Sequence, residues 1–196
     1  ENLGKEDDLF WARGITEDLI IKIAGAGLIR VSPMKEIKNV NMNDEFINIG
    51  KQLRVKYLLT SSIYKHDKGF DLRCQLIEAE SGNSKYANKW SEVLKNSPTI
   101  VGNLAQNIIQ TLNVNTKQDI AIASTDNPEA YEYYLKAKYK WDKRTTIEDT
   151  EIVRGMLQKA IELSPNLLSA INLLGETYSS WGSSEFDKAI EIFTST

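Results

Sequence analysis

The sequence predicts an α+β domain, with helices laid on a mostly antiparallel sheet, followed by an all-α array of helical hairpins. Three observations predict it. From Val55 to Lys95 three segments read as successive strands, parted by Asp67-Lys68-Gly69 and Ser81-Gly82-Asn83, and the middle one alternates apolar with polar residues. On either side of that stretch, and throughout the last third of the chain, apolar residues recur at helical spacing. Between the two regions lies a polar, unpatterned segment, "NVNTKQDIAIASTDN", which reads as a linker.

The elements follow in order. "GITEDLIIKIAGAG" places Ile15, Leu19, Ile20 and Ile23 on one helical face, with Thr16 as the expected N-cap and Gly25 and Gly27 as stops. "LIRVS" is expected to be a short strand. "NDEFINIGKQLR" predicts a helix that begins at Asn43 or Asp44 and carries Phe46, Ile49, Gly50 and Leu53 on its inner face. "VKYLLTSSIYKHD" and "GFDLRCQLIEAES" then form a hairpin, in which Gly69 is expected to supply a positive φ. Phe70, Leu72, Cys74 and Leu76 alternate with Asp71, Arg73 and Gln75, so the second strand is half-buried. "SKYANKWSEVLK" is the third strand of the meander, and Pro98 to Leu112 returns to helix through Ile100, Leu104, Ile108 and Leu112. The domain boundaries are therefore 1–112, a linker at 113–127, and 128–196. In the last region four helices are expected, near 128–143, 147–163, 166–181 and 185–194, with Pro128 opening the first after Asp126 or Asn127.

Composition excludes several classes. Hydrophobic residues make up 41% and charged residues 26% of the 196, which suits a globular protein with its own core. A net charge of -3 argues against generic nucleic-acid binding, which needs a basic footprint. One cysteine allows no intrachain disulfide, and no apolar run approaches the roughly 20 residues of a membrane-spanning helix. The chain starts without a methionine and stops inside an apparent helix, so it is expected to be a fragment of something longer.

The run "AIELSPNLLSAINLLGETY" explains the last region. Two helices packed at close range need small residues where their axes approach, which Ala160 and Gly175 provide. Pro165 ends one helix and starts the next, while Leu174 and Tyr178 fill the space between hairpins. This pattern resembles the tetratricopeptide repeat (TPR), a helix–turn–helix unit. In the second repeat Ile171, Leu174, Gly175 and Tyr178 match first-helix positions, and Ala189 and Phe193 match the second helix. In the first repeat Tyr134, Ala137 and Trp141 form the corresponding stripe, followed by Leu157, Ala160 and Pro165. Lys138 and Val153 depart from the usual small residues. The resemblance implies a groove for a protein or peptide, lined in the second repeat by Ser169, Asn172, Glu176 and Ser179. In the first repeat it is lined by Glu132, Leu135, Tyr139 and Asp142.

The front region resembles the TolB amino-terminal-like domain. The features that carry this are "GITEDLI", "IGKQLRVKYLLTSSI", "QLIEAESG" and Trp90, and they span about residues 1 to 112. The order of this domain and repeats is similar to bacterial signalling proteins in which they join a class III adenylate or guanylate cyclase, or a winged-helix transcription factor. That family's first strand would precede "ENLG", so self-association through an incomplete sheet is expected.

No catalytic constellation is legible. His66 beside the hairpin turn reads as a solvated edge residue, and Cys74 as a small core residue. One His and one Cys make no zinc site, and "GAGLIR" lacks the third glycine of a dinucleotide loop. Glu78 and Glu80 suit an exposed strand end better than paired-carboxylate chemistry. "LKAKYKWDKR" is a basic cluster read as the solvent face of a helix whose Tyr134-Ala137-Trp141 stripe packs inward. The expectation is a chain that is not itself an enzyme, with no cofactor, metal or nucleic acid. It is read as a sensor or interaction module that regulates an attached cyclase or transcription factor, its partner-binding residues being Tyr139, Asp142, Asn172, Glu176 and Ser179. The alternative is an accessory part of a periplasmic assembly protein. The compartment stays open between the periplasmic side of a membrane-anchored protein and the cytoplasm.

Overall fold

In a computed structural model of the chain, residues 8–27, 29–114, 123–179 and 194 are described. They form a three-stranded antiparallel sheet and seven α-helices, a mixed α+β arrangement. Two compact units emerge, Glu1–Leu94 with Ile100–Ile122, and Lys95–Thr99 with Ala123–Thr196.

In the first unit, α1 (Leu9–Gly25) starts well before the expected cap. The reason is that Phe10 and Trp11 extend the Ile15-Leu19-Ile23 stripe by one turn, and all are buried. Thr16 is therefore interior, and its hydroxyl donates to the carbonyl of Ala12 at 2.7 Å instead of capping. Gly27 follows at φ 71, as a stop signal should.

The expected strand at "LIRVS" is absent from its described residues, 29–32. Their polar side chains serve α3 (Phe46–Leu53) instead. Arg30 donates to the carbonyls of Leu53 and Arg54, both at 3.2 Å, and Ser32 donates to Leu53 at 3.3 Å. These donors satisfy carbonyls that a helix end leaves open, next to Arg54 in the left-handed region at φ 54. After Pro33 a single turn, α2 (Met34–Ile37), leads toward α3.

Asn43 and Asp44 lie in a turn before α3, where Asn41 accepts from the Asn43 N–H. Ile49, Gly50 and Leu53 are buried as expected, but Phe46 is 39% exposed and off the inner face. Val40, Ile49 and Leu53 form a core cluster with Ile37, Val55 and Leu58. Gly50 lets α3 approach the turn at Ala79, since a Cβ there would lie 2.5 Å from that of Ala79.

The sheet runs β1 (Tyr57–His66), β2 (Gly69–Glu78), β3 (Ser84–Val93), in that spatial order. Phe70, Leu72, Cys74 and Leu76 are all buried, opposite Lys65, Ile63, Ser61 and Leu59. Trp11 of α1 stacks on Phe70 with ring centroids 6.1 Å apart. Gly69 does not adopt a positive φ. It is needed for another reason: any Cβ would run into the Glu92 carbonyl of β3. The second turn does use the left-handed region, with Gly82 at φ 68. α4 (Ser97–Thr111) buries Ile100, Val101, Leu104, Ala105, Ile108 and Ile109.

The second unit holds α5 (Pro128–Lys143), α6 (Ile147–Leu163) and α7 (Leu168–Ser179). The first two have the bounds read from the sequence, and both begin at a side-chain cap. α7 starts two residues later than expected, because Pro165 and Asn166 form a turn before it. The expected helix at 185–194, with Ala189 and Phe193, lies outside the described residues apart from Thr194. Among the described residues no helix is long and apolar enough to cross a membrane.

Candidate functional site

The three helices of the second unit carry every expected partner-binding residue. Their geometry starts at Asn127, the N-cap of α5. Its side-chain oxygen accepts from the N–H groups of Glu129 and Ala130, both at 3.0 Å. Its amide nitrogen donates to the carbonyl of Leu163 at 3.1 Å, at the far end of α6. Thr125, in the expected linker, is buried and hydrogen-bonded to the Ser164 hydroxyl at 2.8 Å. The start of α5 is thus pinned to the end of α6, and the two helices are antiparallel. Thr146 and Asp149 close a capping box at the other end. Asp149 also accepts from Lys140 at 2.8 Å, and Lys140 with the Thr145 N–H holds its carboxyl well below the usual carboxylate range.

The small residues of the expected repeat positions lie in the interior. Ala137 and Ala160 are fully buried, Gly175 is buried, and Tyr134, Trp141 and Leu174 complete the interior. Pro165 is exposed at the turn and Tyr178 is half-buried. Against Tyr178 lies a group that sequence reasoning missed, the Arg154 guanidinium, 3.9 Å from the ring centroid. Arg154 is buried yet fully engaged. It donates to the hydroxyl and carbonyl of Thr177, at 3.2 and 2.9 Å, and to Glu151 at 2.7 Å. The signal was present, because Arg154 falls within the Thr150-Val153-Leu157 stripe, on the side that packs inward.

The expected groove residues divide. Asn172, Glu176 and Ser179 are exposed on α7, spaced by four and three residues, so they share one outward face. Ser179 donates to the Glu176 carbonyl at 3.1 Å. Ser169 is half-buried, with its hydroxyl shut off from solvent. On α5, Asp142 is exposed and Glu132 is paired with Lys136 at 2.8 Å. Leu135 is a correction: it is fully buried in the core and lines no groove. Tyr139 is half-buried under Lys143, whose ammonium sits 4.4 Å from its ring centroid and donates to its hydroxyl.

The basic cluster on α5 is engaged throughout. Lys136 pairs with Glu132 and Lys140 with Asp149, while Lys138 lies 5.5 Å over the Tyr134 ring. Arg144 stacks 3.4 Å over Trp141 and donates to its carbonyl at 2.6 Å. These pairings make the run a self-satisfied helix face.

In the first unit, Cys74 is buried and its thiol is pushed up to about 11 by that burial, away from the thiolate needed for nucleophilic work. His66 is exposed at the hairpin end. Glu78 accepts from Ser81 at 2.8 Å and pairs with Lys85 and Lys56, at 3.2 and 3.5 Å, which lowers its pKa, while Glu80 is exposed. Ser62, Tyr64, Asp71 and Arg73 line an open hollow of about 270 Å³ on the outer sheet face. Among the described residues no group of three or more His, Cys, Asp or Glu side chains is placed to hold a metal ion.

No known family matches the sequence, and no curated protein does. A crystal structure of TolB from Acinetobacter baumannii is similar over 57% of this chain and 26% of that one, with a TM-score of 0.40 and 11% identity. A likeness that slight carries no argument about function.

Proposed function

We propose that the chain is a non-catalytic interaction module of a larger bacterial signalling protein, with hairpins of the TPR kind that hold a partner. The attached effector it regulates is read as a nucleotide cyclase or a transcription factor, as the sequence resemblances imply. One observation supports the reading most. On α7 the inward positions are filled by Ala170, Leu174 and Gly175, and the outward ones by the polar series Asn172, Glu176 and Ser179. A helix held rigidly from behind, with donors and acceptors facing out, suits an extended backbone, because an amide such as Asn172 both donates and accepts.

Three of the α5 lysines are already engaged within the chain. A cation already engaged offers less attraction to an acidic ligand, so recognition is assigned to hydrogen bonds from α7 more than to charge. The test is to pan a displayed random-peptide library against the chain and titrate the strongest binder. Loss of binding in Asn172→Ala, with an unchanged circular dichroism spectrum, supports the proposal. Failure to select any peptide above background contradicts it.

A further inference from the structure

The outer face of the sheet follows from the alternation that fills the core. Phe70, Leu72, Cys74 and Leu76 of β2 are buried, so Asp71, Arg73 and Gln75 point the other way. The register then fixes their neighbours on that face. Asp71 stands between Tyr64 of β1 and Ser91 of β3, and Arg73 stands between Ser62 and Lys89. The open hollow of about 270 Å³ lies here, lined by Ser62, Tyr64, Asp71 and Arg73.

Charge on this face is unbalanced. Arg73 and Lys89 are directly opposite each other, and like charges so placed are destabilising unless an anion offsets them. Asp71 offsets only one of the two, and it is committed toward β3. It accepts from the Ser91 hydroxyl at 2.6 Å and pairs with Lys89 at 3.4 Å. The Ser91 hydrogen bond above all, and Lys89 after it, hold its carboxyl below the usual carboxylate range. Among the described residues no acid pairs with Arg73, and its guanidinium makes no hydrogen bond. The Ser62 hydroxyl is equally uncommitted. Beside them is the Tyr64 ring, 47% exposed.

We propose that this hollow binds a phosphate monoester carried on a single planar ring, with the phosphate on Arg73 and Ser62 and the ring laid on Tyr64. The inference does not depend on the interaction role proposed above. The donor set selects the anion. A guanidinium fork takes two phosphate oxygens at once, and a tetrahedral group keeps a third for the Ser62 hydroxyl, which a planar carboxylate lacks. The Tyr64 ring selects what the phosphate is attached to, because an exposed aromatic face favours a flat neighbour. The size of the hollow, below the usual range of ligand pockets, restricts that neighbour to one ring.

The test is an amide NMR titration of the whole chain with phenyl phosphate, inorganic phosphate and benzoate. Phenyl phosphate should shift the Ser62, Tyr64 and Arg73 signals along one saturating curve, at least about tenfold tighter than either of the other probes. Arg73→Gln should remove the binding. Arg73→Lys keeps the charge without the fork and should weaken it at least about fivefold. Tyr64→Ala should bring phenyl phosphate down to the affinity of inorganic phosphate. All three substitutions are on an exposed face, so the remaining amide signals should stay where they are. No saturable shift with phenyl phosphate up to about 10 mM would overturn the proposal. So would wild-type affinity in Arg73→Lys, since the attraction would then be charge alone, or equal affinity for phenyl phosphate and inorganic phosphate.

Discussion

At Gly69 a single methyl group has no room, and the obstacle is backbone, not a movable side chain. Gly69→Ala should therefore cost about 1–3 kcal/mol by overpacking, measured by urea denaturation. Gly82→Ala meets no atom within 4 Å and carries only the left-handed strain of φ 68, about 1–2 kcal/mol. A larger loss at Gly82 than at Gly69 would contradict the close-approach account. The glycine at position 69 was legible, but its reason was not. A turn can be read from neighbours in sequence, whereas the Glu92 carbonyl arrives from a strand 23 residues later. Arg154 hides for a similar cause, since a charged residue gains a buried role only once Thr177 is beside it. Arg154→Lys keeps the charge but not the two-point grip on Thr177, and should still destabilise by about 1.5–3 kcal/mol in thermal melts.

Elements were legible where their ends carry their own chemistry. α5 and α6 match the sequence reading because Asn127-Pro128 and Thr146 with Asp149 mark their starts locally. α1 was misplaced because Thr16 looks like a cap, while the burial that sets the start depends on Phe70 across the core. "LIRVS" has strand composition, yet Arg30 and Ser32 are drawn to the end of α3, a partner that composition does not reveal. Asn127 gives a graded test of the α5–α6 staple. Asn127→Ser keeps a cap and loses the reach to Leu163, about 0.5–1.5 kcal/mol. Asn127→Ala loses both, and should be the less stable of the two by about 1 kcal/mol. Equal stabilities would mean that the cap contributes nothing.

Asp149 adds a pH dependence with a definite sign. Its pKa is depressed in the folded state, so its contribution is fully present above the ordinary carboxylate value of 3.8 and is lost as pH falls below it. The stability gap between wild type and Asp149→Asn should stay constant from neutral pH to about pH 5 and narrow below pH 4. A gap that widens in acid would reverse the assignment.

On the scale of the whole molecule, the chain divides into two units, each with its own buried residues. The α+β class and the order of strands were readable because alternation and turns are local signals. The candidate site was readable only in part. Asn172, Glu176 and Ser179 face outward as their spacing requires, while Leu135, assigned to a groove by register alone, is in the core. The α5 cluster looked like a basic surface because sequence cannot show that each cation has a partner one turn or one helix away.

The claim that binds these observations is recognition by the outward face of α7. Its most direct measurement is isothermal titration of a library-selected peptide against wild type, Asn172→Ala and Tyr139→Ala. The account predicts at least about tenfold weaker binding for Asn172→Ala, as expected when a polar group at an interface centre is removed. Tyr139→Ala, already covered by Lys143, should weaken it less. Both variants should melt as folded proteins. Unchanged affinity in Asn172→Ala, with the fold intact, would contradict the account.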